Sequence, residues 1–181
     1  SSMGAVIVES PEEIPDGSVA TIRAHGVPKA TEDRLKSKNI RYFDFTCPKV
    51  KKIHKIAANA ENIIIIGNSE HPEVVGIAGN AKKSFFVAND IDELKKILHN
   101  IYVDTEQYDL VAQTTYNTSE WKKITEYVTN LTNITVHNTI CNSTETRQRE
   151  VEELSKKVDL FIIIGSPHSS NTRKLYEIAS E

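Results

Sequence analysis

Ile63-Ile64-Ile65-Ile66-Gly67-Asn68-Ser69-Glu70-His71-Pro72-Glu73-Val74-Val75-Gly76 sets the reading of the whole chain. Four β-branched residues in a row, stopped by a glycine, have the pattern of a strand covered on both faces, which is how strands sit in a parallel sheet between helices. His71 and Glu73 then fall just past the C-terminal end of that strand. In open α/β sheets this edge is where ligands bind, because the loops leaving the sheet and the N-termini of the following helices face the same crevice. A polar loop with an incidental histidine and glutamate is the plainer alternative, and recurrence along the chain decides between them.

Outward from this stretch, strands and helices alternate. Short apolar strands are expected over Ala5 to Val8, Val19 to Ala24, Arg41 to Phe45, Ser84 to Val87, Tyr108 to Ala112 and Ile134 to His137, with a second all-apolar strand at Leu160 to Ile164. Helical spacing links Val50, Ile53, Ala57 and Ala60 behind Pro48, a residue suited to a first helical turn. The same spacing links Leu94, Ile97, Leu98 and Ile101 behind a capping box of Asp90 and Glu93. Trp121, Ile124, Val128 and Leu131 mark another helix, Val151, Leu154 and Val158 the next, and Leu175, Ile178 and Ala179 the last. The alternation predicts an α/β protein of repeated βα units with mostly parallel sheets.

Composition narrows the class. The chain has 181 residues, 39% apolar and 26% charged, with a formal net charge of −3. That is globular composition without the basic footprint of a nucleic-acid binder. No apolar run is long enough to span a membrane and no signal-peptide pattern is present, so a cytoplasmic protein is expected. Two cysteines, Cys47 and Cys141, are too few for a secreted disulfide scaffold and point to reduced thiols or metal ligands. Ser1-Ser2-Met3 reads as a remnant set apart from the fold, which begins at Gly4.

The strand ends share a chemistry. They carry Arg23-Ala24-His25-Gly26-Val27, then Thr46-Cys47-Pro48, then His71-Pro72-Glu73. Further on come Gln113-Thr114-Thr115, Asn138-Thr139-Ile140-Cys141 and Gly165-Ser166-Pro167-His168-Ser169-Ser170-Asn171. The opposite connections hold mostly Lys, Asn and Asp, so the asymmetry argues for one cleft. Cys47 and Cys141 each stand before a helix N-terminus, where the dipole and free N–H groups favour a thiolate; Asn142 or Ser143 is the expected cap of the second helix. His25 and His71 suit an anion. Ser169, Ser170 and Asn171 suit either a helix cap or an anion site at a helix N-terminus. His54, His99 and His137 read as structural or exposed, and Lys49 to Lys55 as a solvated helix face.

Taken in order, these motifs, with Thr146-Arg147-Gln148 after Cys141 and Thr172 after Asn171, resemble the signatures of the 4-hydroxy-3-methylbut-2-enyl diphosphate reductase family, also called LytB or IspH. The resemblance runs from Gly4 over essentially the whole chain. It implies three similar α/β units around a central 4Fe–4S cluster, with residues 4–47 closing the first unit, 48–138 forming the second and 139–181 opening the third. It also implies a reductive dehydroxylation in the non-mevalonate isoprenoid pathway, giving isopentenyl and dimethylallyl diphosphates. By that resemblance Cys47 and Cys141 are two of three cluster ligands. His25, His71, Ser169, Ser170 and Asn171 bind the diphosphate, Glu73 supplies a proton and Thr114 orients the substrate hydroxyl and Glu73. Electrons come from a ferredoxin or flavodoxin, since no GxGxxG turn follows a strand.

The family pattern opens with a further cysteine loop and closes with a serine-bearing loop, and this sequence shows neither. The expectation is therefore an internal piece of the enzyme, inactive by itself or holding a labile cluster, with exposed apolar ends that favour self-association. Two readings from other classes stay open: a non-catalytic anion-binding or diphosphate-binding module, and a hydrolase using His25, His71 and Glu73 as metal ligands.

Overall fold

The computed structural model describes residues 4–103 and 105–180. Ser1-Ser2-Met3 and the chain-terminal Glu181 lie outside the described residues. Two parallel sheets organise the chain. The smaller pairs β1 (Val19–Ile22) with β2 (Arg41–Asp44), joined through α1 (Lys29–Ser37). The larger has four strands, β3 (Asn62–Ile66), β4 (Ser84–Ala88), β5 (Tyr108–Ala112) and β6 (Ile134–Val136), in the order β4-β3-β5-β6. All of its pairings are parallel, with Ile64 opposite Phe86 on one side and Leu110 on the other. The helices are α2 (Pro48–Asn59), α3 (Pro72–Ala78), α4 (Ile91–Ile101), α5 (Thr118–Val128), α6 (Asn142–Ser155) and α7 (Ser170–Ala179).

The isoleucine run explains the layering. Successive side chains of a strand point to opposite faces. Ile63 and Ile65 pack with Ile53 and Ala57 of α2 and Val74 and Ile77 of α3. Ile64 and Ile66 pack with Leu94 and Leu98 of α4 and Trp121, Ile124 and Val128 of α5. All four isoleucines are fully buried, so no polar residue can be admitted on either face.

The strand order also fixes where a ligand can enter. From β3 the chain steps outward to β4, then returns to the other side of β3 to form β5 and continues to β6. The connections after β3 and β5 thus leave in opposite directions, and their divergence opens a crevice at the C-terminal ends of these two neighbours. His71 and Glu73 follow β3, and Gln113, Thr114 and Thr115 follow β5.

Two expected strands are absent. Ala5 to Val8 and Leu160 to Ile164 run without strand pairing among the described residues. Leu160, Ile162 and Ile164 are 76%, 72% and 93% exposed, against complete burial for the isoleucines of β3. An apolar run specifies a strand only where a neighbour offers free N–H and C=O groups to pair with it. The helix with Val151 and Leu154 ends at Ser155, leaving Val158 outside. The capping box at α4 is displaced by one residue: Asp90 accepts from the N–H groups of Asp92 and Glu93, but the Glu93 carboxylate accepts from the N–H of Asn89. Helices α1 and α3 join the elements expected from apolar spacing.

Candidate active site at the sheet switch point

Glu73 and Thr114 meet across the crevice. The Glu73 carboxyl is 3% exposed. Its Oε1 accepts the Thr114 N–H at 2.6 Å and its Oε2 accepts the Thr114 hydroxyl at 2.7 Å. Burial raises its pKa above the ordinary carboxyl value, against the lowering influence of the two Thr114 hydrogen bonds and the nearby His25. A carboxyl held in this balance has the property a proton donor needs, since it keeps its proton closer to neutrality than an exposed glutamate does.

Thr114 reaches the second cysteine as well. Its carbonyl accepts the Cys141 N–H at 2.9 Å, and two residues earlier Thr139 Oγ1 both donates to and accepts from the backbone of Ala112. The end of β5 therefore carries the loop of Cys141. Cys141 is itself the N-cap of α6, in place of the expected Asn142 or Ser143. Burial pushes its thiol pKa up, but the backbone N–H groups of Ser143 and Thr144 and the charge of Lys49 outweigh that and hold it below the ordinary thiol value. Cys47 is the N-cap of α2, and its N–H donates to Ala24 O at 3.0 Å. The first turns of these two helices touch, with Lys49 Nζ donating to Asn142 Oδ1 at 2.9 Å.

The histidines come from two different strand ends. His71 is the N-cap of α3 and its Nδ1 accepts the Glu73 N–H at 3.2 Å, so the ring is fixed by the backbone that carries the carboxyl. His25 lies in the turn after β1, and the two rings meet edge to face with centroids 5.4 Å apart. Burial, with the charges of His25 and Arg173, lowers the His71 pKa. Arg173 thus brings a fixed positive charge from α7 to the same place.

Helix α7 joins through hydroxyls. Ser169 is its N-cap, accepting the Thr172 N–H at 3.3 Å. Ser170 Oγ accepts from Gln113 Nε2 at 3.2 Å and from Thr115 Oγ1 at 3.0 Å. Gln113 Oε1 also accepts the Asn68 N–H, so one amide ties the ends of β3 and β5 to α7. Two buried polar atoms here lack a partner, His25 Nδ1 and Asn171 Oδ1. Buried polar atoms are nearly always paired, and an unpaired one in a cleft is a place for a ligand atom. Gln113 and Thr115 were visible in the sequence only as members of a Gln-Thr-Thr triplet; the distance in sequence to Ser170 hid their role in seating α7.

His25, Glu73, His71, Thr114, Ser170, Cys141 and Cys47 are thus joined by direct contacts or by the segments that carry them. His137 is not: it pairs with Asp109 at 2.6 Å on another part of β5 and β6. Two cysteine-capped helices that touch at their first turns fit two thiolate places of an iron–sulfur group. Among the described residues no three His, Cys, Asp or Glu side chains converge as a metal-binding set. His25, His71 and Glu73, the ligand triple of the hydrolase reading, are not such a set.

Comparison with known proteins places the chain in a family. A family model described as LytB protein matches residues 1–181. A 4-hydroxy-3-methylbut-2-enyl diphosphate reductase of Clostridioides difficile is 37% identical over 98% of this chain and 64% of its own length. One from Nautilia profundicola is 39% identical over 96% of this chain and 64% of its own. The structure of the E-1-hydroxy-2-methyl-but-2-enyl-4-diphosphate reductase from Plasmodium falciparum superposes with a TM-score of 0.89 at 27% identity, covering 99% of this chain and 57% of that one. The chain thus spans somewhat less than two thirds of the length of these relatives, and by the family match along its whole length it belongs to the LytB family.

Proposed function

We propose that this chain carries the diphosphate, proton and thiolate parts of a 4-hydroxy-3-methylbut-2-enyl diphosphate reductase. In that reaction the allylic C–O bond breaks, two electrons and two protons are taken up, and water leaves with isopentenyl or dimethylallyl diphosphate as product. The observation that carries the proposal is the line from the buried Glu73 carboxyl through both hydrogen-bonding groups of Thr114 to the backbone of Cys141. A proton donor and a thiolate ligand are thereby fixed to one short segment that follows β5.

His25, His71, Ser169, Ser170 and Asn171 hold the diphosphate, with the unpartnered His25 Nδ1 turned to its oxygens as an N–H donor and Asn171 offering them the hydrogens of its amide nitrogen. Thr114 keeps an oxygen lone pair for the substrate hydroxyl while its own proton points to Glu73, so the group to be expelled lies beside the acid. Glu73 then delivers a proton to that hydroxyl, which leaves as water. Burial of Glu73 and Thr114 excludes competing solvent from this transfer. Cys47 and Cys141 would hold a 4Fe–4S cluster, which when bound supplies electrons and a Lewis-acidic iron. The electrons come from a ferredoxin or flavodoxin, and the setting is the cytoplasm, where thiols stay reduced. We assign residues 4–47, 48–138 and 139–181 to three successive α/β units meeting at the site.

A non-catalytic diphosphate-binding module is favoured by one observation, the presence of only two cysteines in the chain. Anaerobic incubation with iron and sulfide separates the readings. The reductase reading expects visible absorption and bound iron that are lost in both Cys47→Ser and Cys141→Ser. Iron retention unaffected by either substitution contradicts it.

A further inference from the structure

His71 is oriented by its own hydrogen bond to the Glu73 N–H, whereas the His25 ring has no such tie and its Nδ1 is unpartnered. Something other than the His25 side chain must therefore set the 5.4 Å spacing of the two rings. The segment behind them supplies it. Asn80, just past α3, donates through Nδ2 to Gly76 O of α3 at 2.7 Å and to Val27 O of the His25 turn at 3.0 Å. Both partners are carbonyls, so only the amide nitrogen can face them. A backbone bond from the Lys29 N–H to Gly79 O at 3.1 Å runs beside this clamp.

His54 of α2 fills the space between the same two segments. A Cβ added to Gly26 would lie 2.5 Å from His54 Cε1, and one added to Gly76 would lie 3.3 Å from His54 Nε2. Gly26 also has φ of +72°, a conformation open to glycine at no cost. Turn and helix thus close directly on the imidazole. Its Nε2 is buried without a partner, and its Nδ1 lies 3.4 Å from an Asn80 nitrogen whose two hydrogens are already given to carbonyls. Burial lowers the pKa of this ring, so it serves as an uncharged spacer.

We propose that Asn80 and His54 are positioning residues that hold the His25 turn against α3 and thereby set the two imidazoles at the spacing a diphosphate requires. The part about ligand binding rests on the diphosphate reading above; the part about ring spacing does not. An imidazole displaced by about 1 Å from the productive geometry costs far more than its share of packing energy.

The test replaces Asn80 by Asp, which keeps the shape but puts a carboxylate oxygen where two carbonyls expect a donor. In wild-type protein the proton cross-peaks between the His25 and His71 rings should be present in NMR spectra. In Asn80→Asp they should weaken or vanish while the nitrogen shifts of His71, fixed by Glu73, stay in place. Both Asn80 bonds are lost, and the one to Val27 O of the His25 turn sets the expected effect: affinity for inorganic pyrophosphate by calorimetry should fall about tenfold, and Asn80→Gln should restore part of it. If Asn80→Asp does not fold, Asn80→Ser, with a donor for only one carbonyl, carries the same readouts. Unchanged cross-peaks and affinity together with a lowered melting temperature overturn the proposal, leaving Asn80 a structural residue only. Wild-type protein that ignores pyrophosphate while its ring cross-peaks still depend on Asn80 overturns the diphosphate reading and supports the positioning role.

Discussion

Burial and hydrogen bonding pull the Glu73 carboxyl in opposite directions, and burial wins, leaving its pKa raised. The sign of the consequence follows from linkage. A carboxyl whose folded pKa lies above its unfolded one stabilises the protein below the unfolded value, about 4.3, and that contribution is lost as pH rises through the folded value. Glu73→Gln keeps both partners, since the amide oxygen accepts the Thr114 N–H and the amide nitrogen donates to the Thr114 hydroxyl. The variant should therefore match the wild type most closely near pH 4 and gain in melting temperature relative to it as pH is raised to 8, with loss of any turnover. His54 and His71, whose pKa values burial lowers, destabilise both proteins alike as pH falls below about 6.5 and cancel in the comparison. A variant less stable than wild type at neutral pH contradicts the account of Glu73. Of these residues the sequence displayed His25, His71, Glu73 and Thr114 through their strand-end motifs. Asn80 gave no signal, and His54 read as a structural histidine, because the partners of both lie on other segments and only the glycines at 26 and 76 hinted at a close approach.

At the scale of elements, two apolar runs of similar composition have different fates. Ile63 to Ile66 form a central strand because β4 and β5 pair with both of its edges and helices cover both of its faces. Leu160 to Ile164 have no paired neighbour among the described residues, and alternate side chains stay exposed. Hydrophobic patterning states that a segment can be buried, and only the presence of a partner states that it is. The difference is measurable. Ile65→Ala should cost roughly 2–5 kcal/mol in denaturant unfolding, the range for deleting a large buried side chain, whereas Ile162→Ser should stay within about 0.5 kcal/mol as an exposed substitution does. Similar losses at both positions would show that the second run is packed in solution. Parallel pairing, the crossover helices and the layering of β3 were all legible, since they rest on local periodicity and on the lengths of the connections.

For the molecule as a whole, topology makes the site. The order β4-β3-β5-β6 sends the connections after β3 and β5 apart, and the groups that the sequence places after those strands become neighbours across the opening. The turn after β1 brings His25 to His71, and α7 brings Ser170 to Gln113 and Thr115, so distant segments converge on one cleft. Sequence reading anticipated this convergence from the uneven distribution of reactive residues over the two sheet edges. The bond between Thr114 and Glu73 was expected through the family resemblance alone, and the bond between Thr115 and Ser170 was not reached, because both depend on strand order, which periodicity does not encode. The central claim is that this cleft is a diphosphate site, and titration with inorganic pyrophosphate followed by the ring nitrogen signals of the histidines tests it most directly. The account predicts saturable shifts of His25 and His71, with His137 unmoved and with Asn171→Ala weakening the response. Shifts absent from both cleft histidines, or shared equally by His137, would contradict it.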